Sequence, residues 1–181
     1  HDVVVADPRT AAGLPRFLEA LPAAQGLIGS SHRIGAAEID AAVRLEVVSS
    51  ISVGVDNYDL PALSRRGITL CHTPGVLTET TADTVFALIM CASRRLVELS
   101  NHVRDGRWTR NIGEDLFGWD VHGKTLGVLG FGRIGQALAR RAALGFGMPV
   151  LYHNPFPVDL PELAGHATHV PLDELLRVRR S

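Results

Sequence analysis

Short apolar runs alternate with segments of helical periodicity along the first part of the chain. The apolar runs have the length of buried strands, and the segments between them place apolar residues at helical spacing. An alternating order of strands and helices is typical of a parallel sheet with crossover helices, which is the α/β class. The pattern predicts strands over residues 3–6, 26–29, 45–51 and 68–71, and helices over 36–42 and 60–66.

One long helix is predicted over residues 80–104, where apolar residues recur near helical spacing. Thr80 and Asp83 have the spacing of a capping box, and Gly106 suits the stop at the other end. Extra apolar residues between the periodic positions predict burial on more than one face of this helix. A polar connection follows the helix, so we place the domain boundary at its end, with one domain over 1–104 and another over 105–181.

The composition is that of an ordinary globular protein, with 181 residues, 46% hydrophobic content and a formal net charge of −1. A near-neutral chain lacks the basic face expected of a nucleic-acid-binding protein. No apolar run reaches the roughly 18 residues of a membrane-spanning helix, so neither nucleic acid nor membrane is an expected partner.

The two cysteines, Cys71 and Cys91, each lie in an apolar run. This position predicts two buried thiols, with a reactive or paired cysteine as the alternative. Such cysteine usage fits a reducing compartment, so we expect a cytoplasmic protein.

A glycine motif of the form G-x-G-x-x-G lies at Gly130, Gly132 and Gly135. A strand is predicted before it over 125–129, and a helix over 134–144 and a strand over 150–153 are predicted after it. This order of strand, loop, helix and strand is the context that makes the motif typical of dinucleotide binding. A glycine turn without a ligand is the alternative.

Each glycine of the motif has a separate physical role. Gly130 permits the tight turn, Gly132 allows backbone to approach a pyrophosphate, and Gly135 allows the helix to pack closely on the strand. Loop amides and the dipole of the following helix favour an anion. The candidate cofactor-binding residues are Gly130, Gly132, Arg133, Ile134, Gly135, His153 and Asn154.

The second strand ends at Asn154, where an acidic residue that binds the ribose 2′-hydroxyl is expected. Asn can bond a hydroxyl without repelling a 2′-phosphate, and His153 and Arg133 can add positive charge. The sequence therefore favours NADP over NAD as cofactor, although no arginine follows Asn154 directly.

Several segments, taken together and at their spacings, resemble the D-isomer-specific 2-hydroxyacid dehydrogenase family, most closely its bacterial glyoxylate/hydroxypyruvate reductase branch, which also reduces 2-ketogluconate. The resemblance covers about residues 20–177. The segments that carry it are SISVGVDNYDL, HTPGVLTETTADTVFALIM, ASRRLVEL, VRDGRWTRNIG and DVHGKTLGVLGFGRIGQALARRAALGFGMPVLYHN.

The resemblance implies a flavodoxin-like substrate domain, present in part, and a Rossmann dinucleotide-binding domain, of which the first half is present. It implies hydride transfer between a nicotinamide and C2 of a small 2-oxo or 2-hydroxy acid. The amides of Val53 and Gly54 would receive the substrate carboxylate, and an unpaired loop amide is a plausible anion ligand; a simple turn is the alternative. The segment 109–119 resembles a dimer arm, which implies a homodimer in which Trp108 or Trp119 contacts a second subunit; an ordinary core tryptophan is the alternative.

The catalytic Arg, acidic residue and His of the family lie beyond the position that matches Arg177. No residue of this chain is therefore assigned a catalytic role, none of its eight histidines matches the catalytic position, and no metal-ligand spacing is found. Both ends look truncated, and we expect the fragment to be inactive. The alternative is a non-catalytic module for nucleotide binding and dimerisation.

Overall fold

The computed structural model describes residues 2–29 and 32–177 of the chain. These residues form two compact units, His1–Val76 and Leu77–Ser181. None of the helices in the described ranges has the length and hydropathy of a membrane-spanning segment.

The first unit is a three-stranded parallel sheet with helices between the strands, as the alternating pattern predicts. Strand β2 lies in the centre, paired with β1 on one side and β3 on the other. Ile39, Val48 and Leu63 are among the fully buried side chains of its core. Its elements are α1 (Gly13–Ala20), β1 (Gly26–Gly29), α2 (Ala36–Ala41), β2 (Val47–Ser50), α3 (Leu60–Arg65) and β3 (Thr69–Cys71).

Local chain chemistry fixes the ends of α3. The Asp59 carboxylate accepts a hydrogen bond from the amide of Ala62 at 2.9 Å, which satisfies a free amide of the first turn. Gly67 follows the helix with a φ of +65°, a conformation that glycine adopts without steric cost. The predicted helix over 60–66 is therefore confirmed to within one residue.

Two predictions drawn from apolar runs are wrong. Residues 3–6 form no strand, and the Val3 side chain is 80% exposed, because no described strand pairs with this apolar run. Cys71 is exposed and Cys91 is half-buried; both are free thiols. Cys71 escapes burial because β3 is an edge strand on which alternate side chains face outward.

The second unit contains a second parallel sheet in the order β4-β5-β6. The register pairs Leu126 with Val150 and Val150 with Ala167. Helix α6 continues into a π-helical turn over Arg141–Gly145. The elements are α4 (Thr78–Ser93), α5 (Leu96–Arg104), β4 (Leu126–Leu129), α6 (Arg133–Arg140), β5 (Val150–His153), β6 (Ala167–His169) and α7 (Leu172–Arg177).

The predicted single helix over 80–104 is wrong, because the helix is interrupted between α4 and α5. Arg95 lies at the break with a φ of 53°, in the left-handed region. The carbonyl of Ser93 accepts the amide of Trp119 at 2.7 Å instead of an amide of the next helical turn. The Arg95 guanidinium binds the carbonyl of Asp115 at 2.7 Å. A connection distant in sequence therefore ends the helix.

Close backbone approach at the break depends on Gly118. A Cβ atom at this position would lie 2.6 Å from the Ser93 carbonyl oxygen and 2.7 Å from the Arg94 Cα. The Arg95 guanidinium also binds both carboxylate oxygens of Glu98, which raises the pKa of Arg95 and lowers that of Glu98. Arg95, through its hydrogen bonds, and Gly118, through its lack of a side chain, thus allow the segment that follows α5 to pack on the helix break.

Helix α4 packs against α6, and an ion-pair cluster joins the two. Arg141 Nη2 lies 2.9 Å from Glu79 Oε2 and 2.6 Å from Asp83 Oδ1. The hydrogen bonds that Arg141 donates to Asp83 and Glu79 raise its pKa. Asp83 therefore binds Arg141, and the predicted capping box with Thr80 is wrong, since α4 begins at Thr78 without a side-chain cap.

The packing of α4 also bears on domain organisation. Phe86 and Ile89 of α4 pack against the core of the second unit, while Leu88 is 63% exposed. Burial on more than one face is thus not observed. The compact units divide at Val76–Leu77, before α4 and earlier than the predicted boundary at residue 104. The assignment of a substrate domain to 1–104 and a cofactor domain to 105–181 stays a prediction.

Candidate dinucleotide-binding site

The glycine loop connects the carboxyl end of β4 with the start of α6. Gly130 turns the chain with a φ of +89°, which is strained for any residue with a side chain. Gly132 is the residue before the helix and has an extended conformation. The predicted order of strand, turn and helix is therefore confirmed, with the helix beginning one residue earlier than expected.

Gly132 and Gly135 have opposite surroundings. A Cβ atom built on Gly132 would meet no atom within 4 Å, whereas one built on Gly135 would clash with the Gly130 carbonyl oxygen and lie 3.3 Å from Val128 Cγ1. Gly135 thus allows the helix to approach the strand, and Gly132 leaves open space in front of the loop. Both observations agree with the geometric roles predicted for these glycines.

The start of α6 presents free amides beside this open space. The first amides of a helix lack intrahelical partners, and among the described residues nothing accepts a hydrogen bond from the amides of Arg133 or Ile134. The Arg133 side chain is exposed, and no ion pair with it is found in the described ranges. Free amides, a helix dipole and an exposed guanidinium together suit a pyrophosphate group.

The end of β5 holds the loop from the other side. The amide of Gly130 donates to the His153 carbonyl at 2.9 Å, and that of Phe131 donates to Asn154 Oδ1 at 3.3 Å. The Phe131 ring stacks on Tyr152 with the ring centres 3.8 Å apart. The structure thus brings the predicted residues His153 and Asn154 together with the glycine loop.

The side chains of His153 and Asn154 both bind protein groups. His153 Nδ1 lies 3.0 Å from the Val170 carbonyl oxygen, and Asn154 Nδ2 donates to the Phe156 carbonyl at 3.2 Å. Sequence reasoning missed His169, whose Nε2 lies 2.9 Å from the Asn154 carbonyl oxygen. No spacing rule could have found it, because the contact joins the residue after β5 to the end of the neighbouring strand β6.

The predicted substrate loop lies in the first unit, after β2. The Val53 carbonyl lies 3.0 Å from His72 Nδ1, and the Ser52 carbonyl accepts the amide of Thr73 at 3.1 Å. Within the described residues, no group accepts from the amides of Val53 and Gly54. A loop held by its carbonyls with its amides free has the polarity of an anion site.

Metal ligation has no support within residues 2–29 and 32–177, where no group of three or more His, Cys, Asp or Glu side chains could hold an ion.

The two tryptophans of the connection are exposed, Trp108 by 59% and Trp119 by 68%. An ordinary core position for either tryptophan is thus wrong.

The family model described as "D-isomer specific 2-hydroxyacid dehydrogenase, NAD binding domain" matches residues 86–179. The chain belongs to this family. The resemblance seen in the sequence is confirmed, as are the α/β class with parallel sheets and the Rossmann dinucleotide-binding domain of an oxidoreductase family.

Relatives of this dehydrogenase-family chain support the assignment. Glyoxylate/hydroxypyruvate reductase B of Yersinia enterocolitica is 53% identical over 162 residues, which are 90% of this chain and 50% of the relative. The crystal structure of a protein from Thermus thermophilus matches with a TM-score of 0.82 and 44% identity, over 96% of this chain and 53% of that one.

D-lactate dehydrogenase from Aquifex aeolicus, in a complex with NAD and lactic acid, matches with a TM-score of 0.77 and 28% identity. That match covers 88% of this chain and 47% of the other. The chain thus spans about half the length of the relatives it matches.

Proposed function

We propose that this chain binds a nicotinamide dinucleotide at the glycine loop between β4 and α6. The observation that carries the proposal is the open space in front of Gly132 beside the free amides of Arg133 and Ile134. Those amides would hold the pyrophosphate, with the Arg133 guanidinium adding charge. The remaining predicted ligands, Gly130, Gly135, His153 and Asn154, form or support the loop.

The reaction that we propose for the whole protein is hydride transfer to or from C2 of a small 2-oxo or 2-hydroxy acid. Glyoxylate, hydroxypyruvate and 2-ketogluconate are the substrates proposed, and the name of the Yersinia relative supports the first two. The cofactor supplies or accepts the hydride when bound. The free amides of Val53 and Gly54 would bind the substrate carboxylate, and His72 would hold the Val53 carbonyl in place.

The chain is proposed to bind cofactor without turnover on its own, because none of its residues matches the catalytic Arg, acidic residue and His of the family. General acid catalysis needs a group at hydrogen-bond distance from the substrate carbonyl. The second candidate is a non-catalytic module for nucleotide binding and dimerisation. It predicts that the whole protein, like this chain alone, binds the cofactor but shows no turnover.

A fluorescence titration with NADH and NADPH tests the binding. We expect both to bind, and NADPH more tightly, because Asn154 carries no charge that would repel a 2′-phosphate, and His153 and Arg133 can add positive charge that attracts it. Tighter NADH binding would contradict the NADP preference, and no binding at millimolar cofactor would contradict the proposed function. Turnover of glyoxylate or hydroxypyruvate by a chain of verified intact mass would contradict the expected inactivity. Turnover by the whole protein separates the enzyme from the non-catalytic module.

A homodimer with its interface on the connection after α5 is also proposed. Trp108, Phe117 and Trp119 are 59%, 58% and 68% exposed, and covering large apolar side chains with a partner removes apolar surface from water and favours association. The cytoplasm is the proposed location, in agreement with two free thiols.

Trp108→Ser is expected to weaken self-association by more than about ten-fold, because burying one large apolar side chain contributes about 1.5–3 kcal/mol and a homodimer contains two copies of it. Sedimentation velocity over a range of concentrations measures the effect. Val43→Ser is the matched control, since Val43 is 66% exposed but lies in the first unit. A monomeric wild type, or equal association of both variants, would argue against the proposed interface.

A further inference from the structure

The conformation of the glycine loop depends on one side chain at the end of β5. The amide of Gly130 is held by a backbone carbonyl, which the sheet itself fixes, but the amide of Phe131 is held by Asn154 Oδ1. An amide side chain has rotational freedom that a backbone carbonyl lacks. The loop geometry therefore requires that the position and rotamer of Asn154 be held by other groups.

Two hydrogen bonds hold Asn154. Its Nδ2 donates to the Phe156 carbonyl at 3.2 Å, which fixes the orientation of the amide plane. Its backbone carbonyl lies 2.9 Å from His169 Nε2. Because a carbonyl oxygen only accepts hydrogen bonds, Nε2 of His169 carries the hydrogen and donates it.

The hydrogen bond from His169 links β5 and β6 beyond the point where their backbone pairing ends. The last paired residues of β5 and β6 are Tyr152 and His169, and the amide of Val170 donates to the Tyr152 carbonyl at 2.9 Å. Asn154 lies beyond this pairing. The His169 side chain thus binds Asn154, which lies beyond the last paired residues of the two strands and whose side chain binds the glycine loop.

Aromatic neighbours fix the ring of His169. Its centre lies 5.3 Å from the Tyr152 ring and 6.0 Å from the His153 ring, and the two imidazoles are inclined by only 17°. Tyr152 also stacks on Phe131 of the loop. A ring held by two neighbours loses little further freedom when its Nε2 donates, so the bond to Asn154 is preorganised.

We propose that His169 is a positioning residue for dinucleotide binding, which acts on the glycine loop through Asn154 and does not touch the cofactor. This inference rests on the proposed function. It also gives Asn154 the role of a loop holder, because both polar atoms of its side chain bind protein groups. The loop amides, once misplaced, would bind the pyrophosphate common to both cofactors less well.

His169→Phe tests the proposal, since it keeps a ring beside Tyr152 and removes the donor. We expect dissociation constants for NADH and NADPH to rise by the same factor, about five- to ten-fold, as for the loss of one hydrogen bond. His169→Gln retains a donor and should recover most of the affinity. His166→Phe is the matched control, because His166 is exposed on the same segment, and it should bind as the wild type does.

The readouts distinguish positioning from other roles. Hydrogen exchange of the Phe131 amide should be faster in His169→Phe than in the wild type. Unchanged affinity in this variant, a loss confined to NADPH, or failure of both His169 variants to fold would overturn the inference. Absence of NADH and NADPH binding by the wild type would overturn the proposed function instead.

Discussion

Gly132→Ala is expected to raise the dissociation constant for NADH about a hundred-fold and to leave protein stability unchanged. The backbone at Gly132 is extended, so alanine adopts it without strain, and the added Cβ would meet no protein atom within 4 Å. The methyl group would instead occupy the open space proposed for the pyrophosphate. Two displaced hydrogen bonds to a charged group, at about 1.5 kcal/mol each, give a loss of this size.

Isothermal titration calorimetry with NADH measures the loss, and thermal unfolding measures stability. Gly145→Ala is the matched control, because Gly145 lies at the far end of the same helical segment and also has nothing within 4 Å of an added Cβ. A Gly132→Ala protein that binds NADH as tightly as the wild type would place the pyrophosphate elsewhere.

Gly135→Ala is expected to reduce the free energy of unfolding by about 1–2 kcal/mol and to lose most of the NADH affinity. The added Cβ would clash with the Gly130 carbonyl oxygen, which is backbone and cannot rotate away. Overpacking of this kind costs about 1–3 kcal/mol, whereas alanine gains up to about 1 kcal/mol over glycine in helix propensity. The clash is the larger effect, so the sign of the change is destabilising.

Urea unfolding followed by circular dichroism measures this effect, with Gly132→Ala as the reference for an alanine that meets no neighbour. Gly132→Ala should lose NADH affinity alone, whereas Gly135→Ala should lose both NADH affinity and free energy of unfolding. Wild-type stability in Gly135→Ala would mean that α6 does not pack on β4 as closely as the structure shows.

Much of the fold follows from local pattern. The strands β1, β2, β3, β4 and β5 and the helices α2 and α3 form where apolar runs and helical spacing predict them. Helix α1 was not predicted. The predicted strand over 3–6 and the unbroken helix over 80–104 are wrong for the same reason. A strand needs a partner strand and the end of a helix needs partners for its carbonyls, and both depend on residues distant in sequence.

The candidate site shows the same division. The three glycines could be assigned from sequence because their roles depend on the turn and helix that immediately surround them. The role of Asn154 could not, since its amide is committed by contacts with Phe131 and Phe156 and its carbonyl by His169. Spacing along the chain carries no information on the contacts with Phe131 and His169, which are distant from Asn154 in sequence.

Sequence patterns are sufficient to establish the α/β class, the glycine loop and the family, because periodicity and motif spacing are properties of residues close together in the chain. The helix break at Arg95, the exposure of Cys71 and the hydrogen bonds of Asn154 follow from the folded structure and not from local sequence. Each of these depends on a backbone or side-chain group brought close by folding, where a hydrogen bond or a missing neighbouring strand outweighs the local preference of the chain.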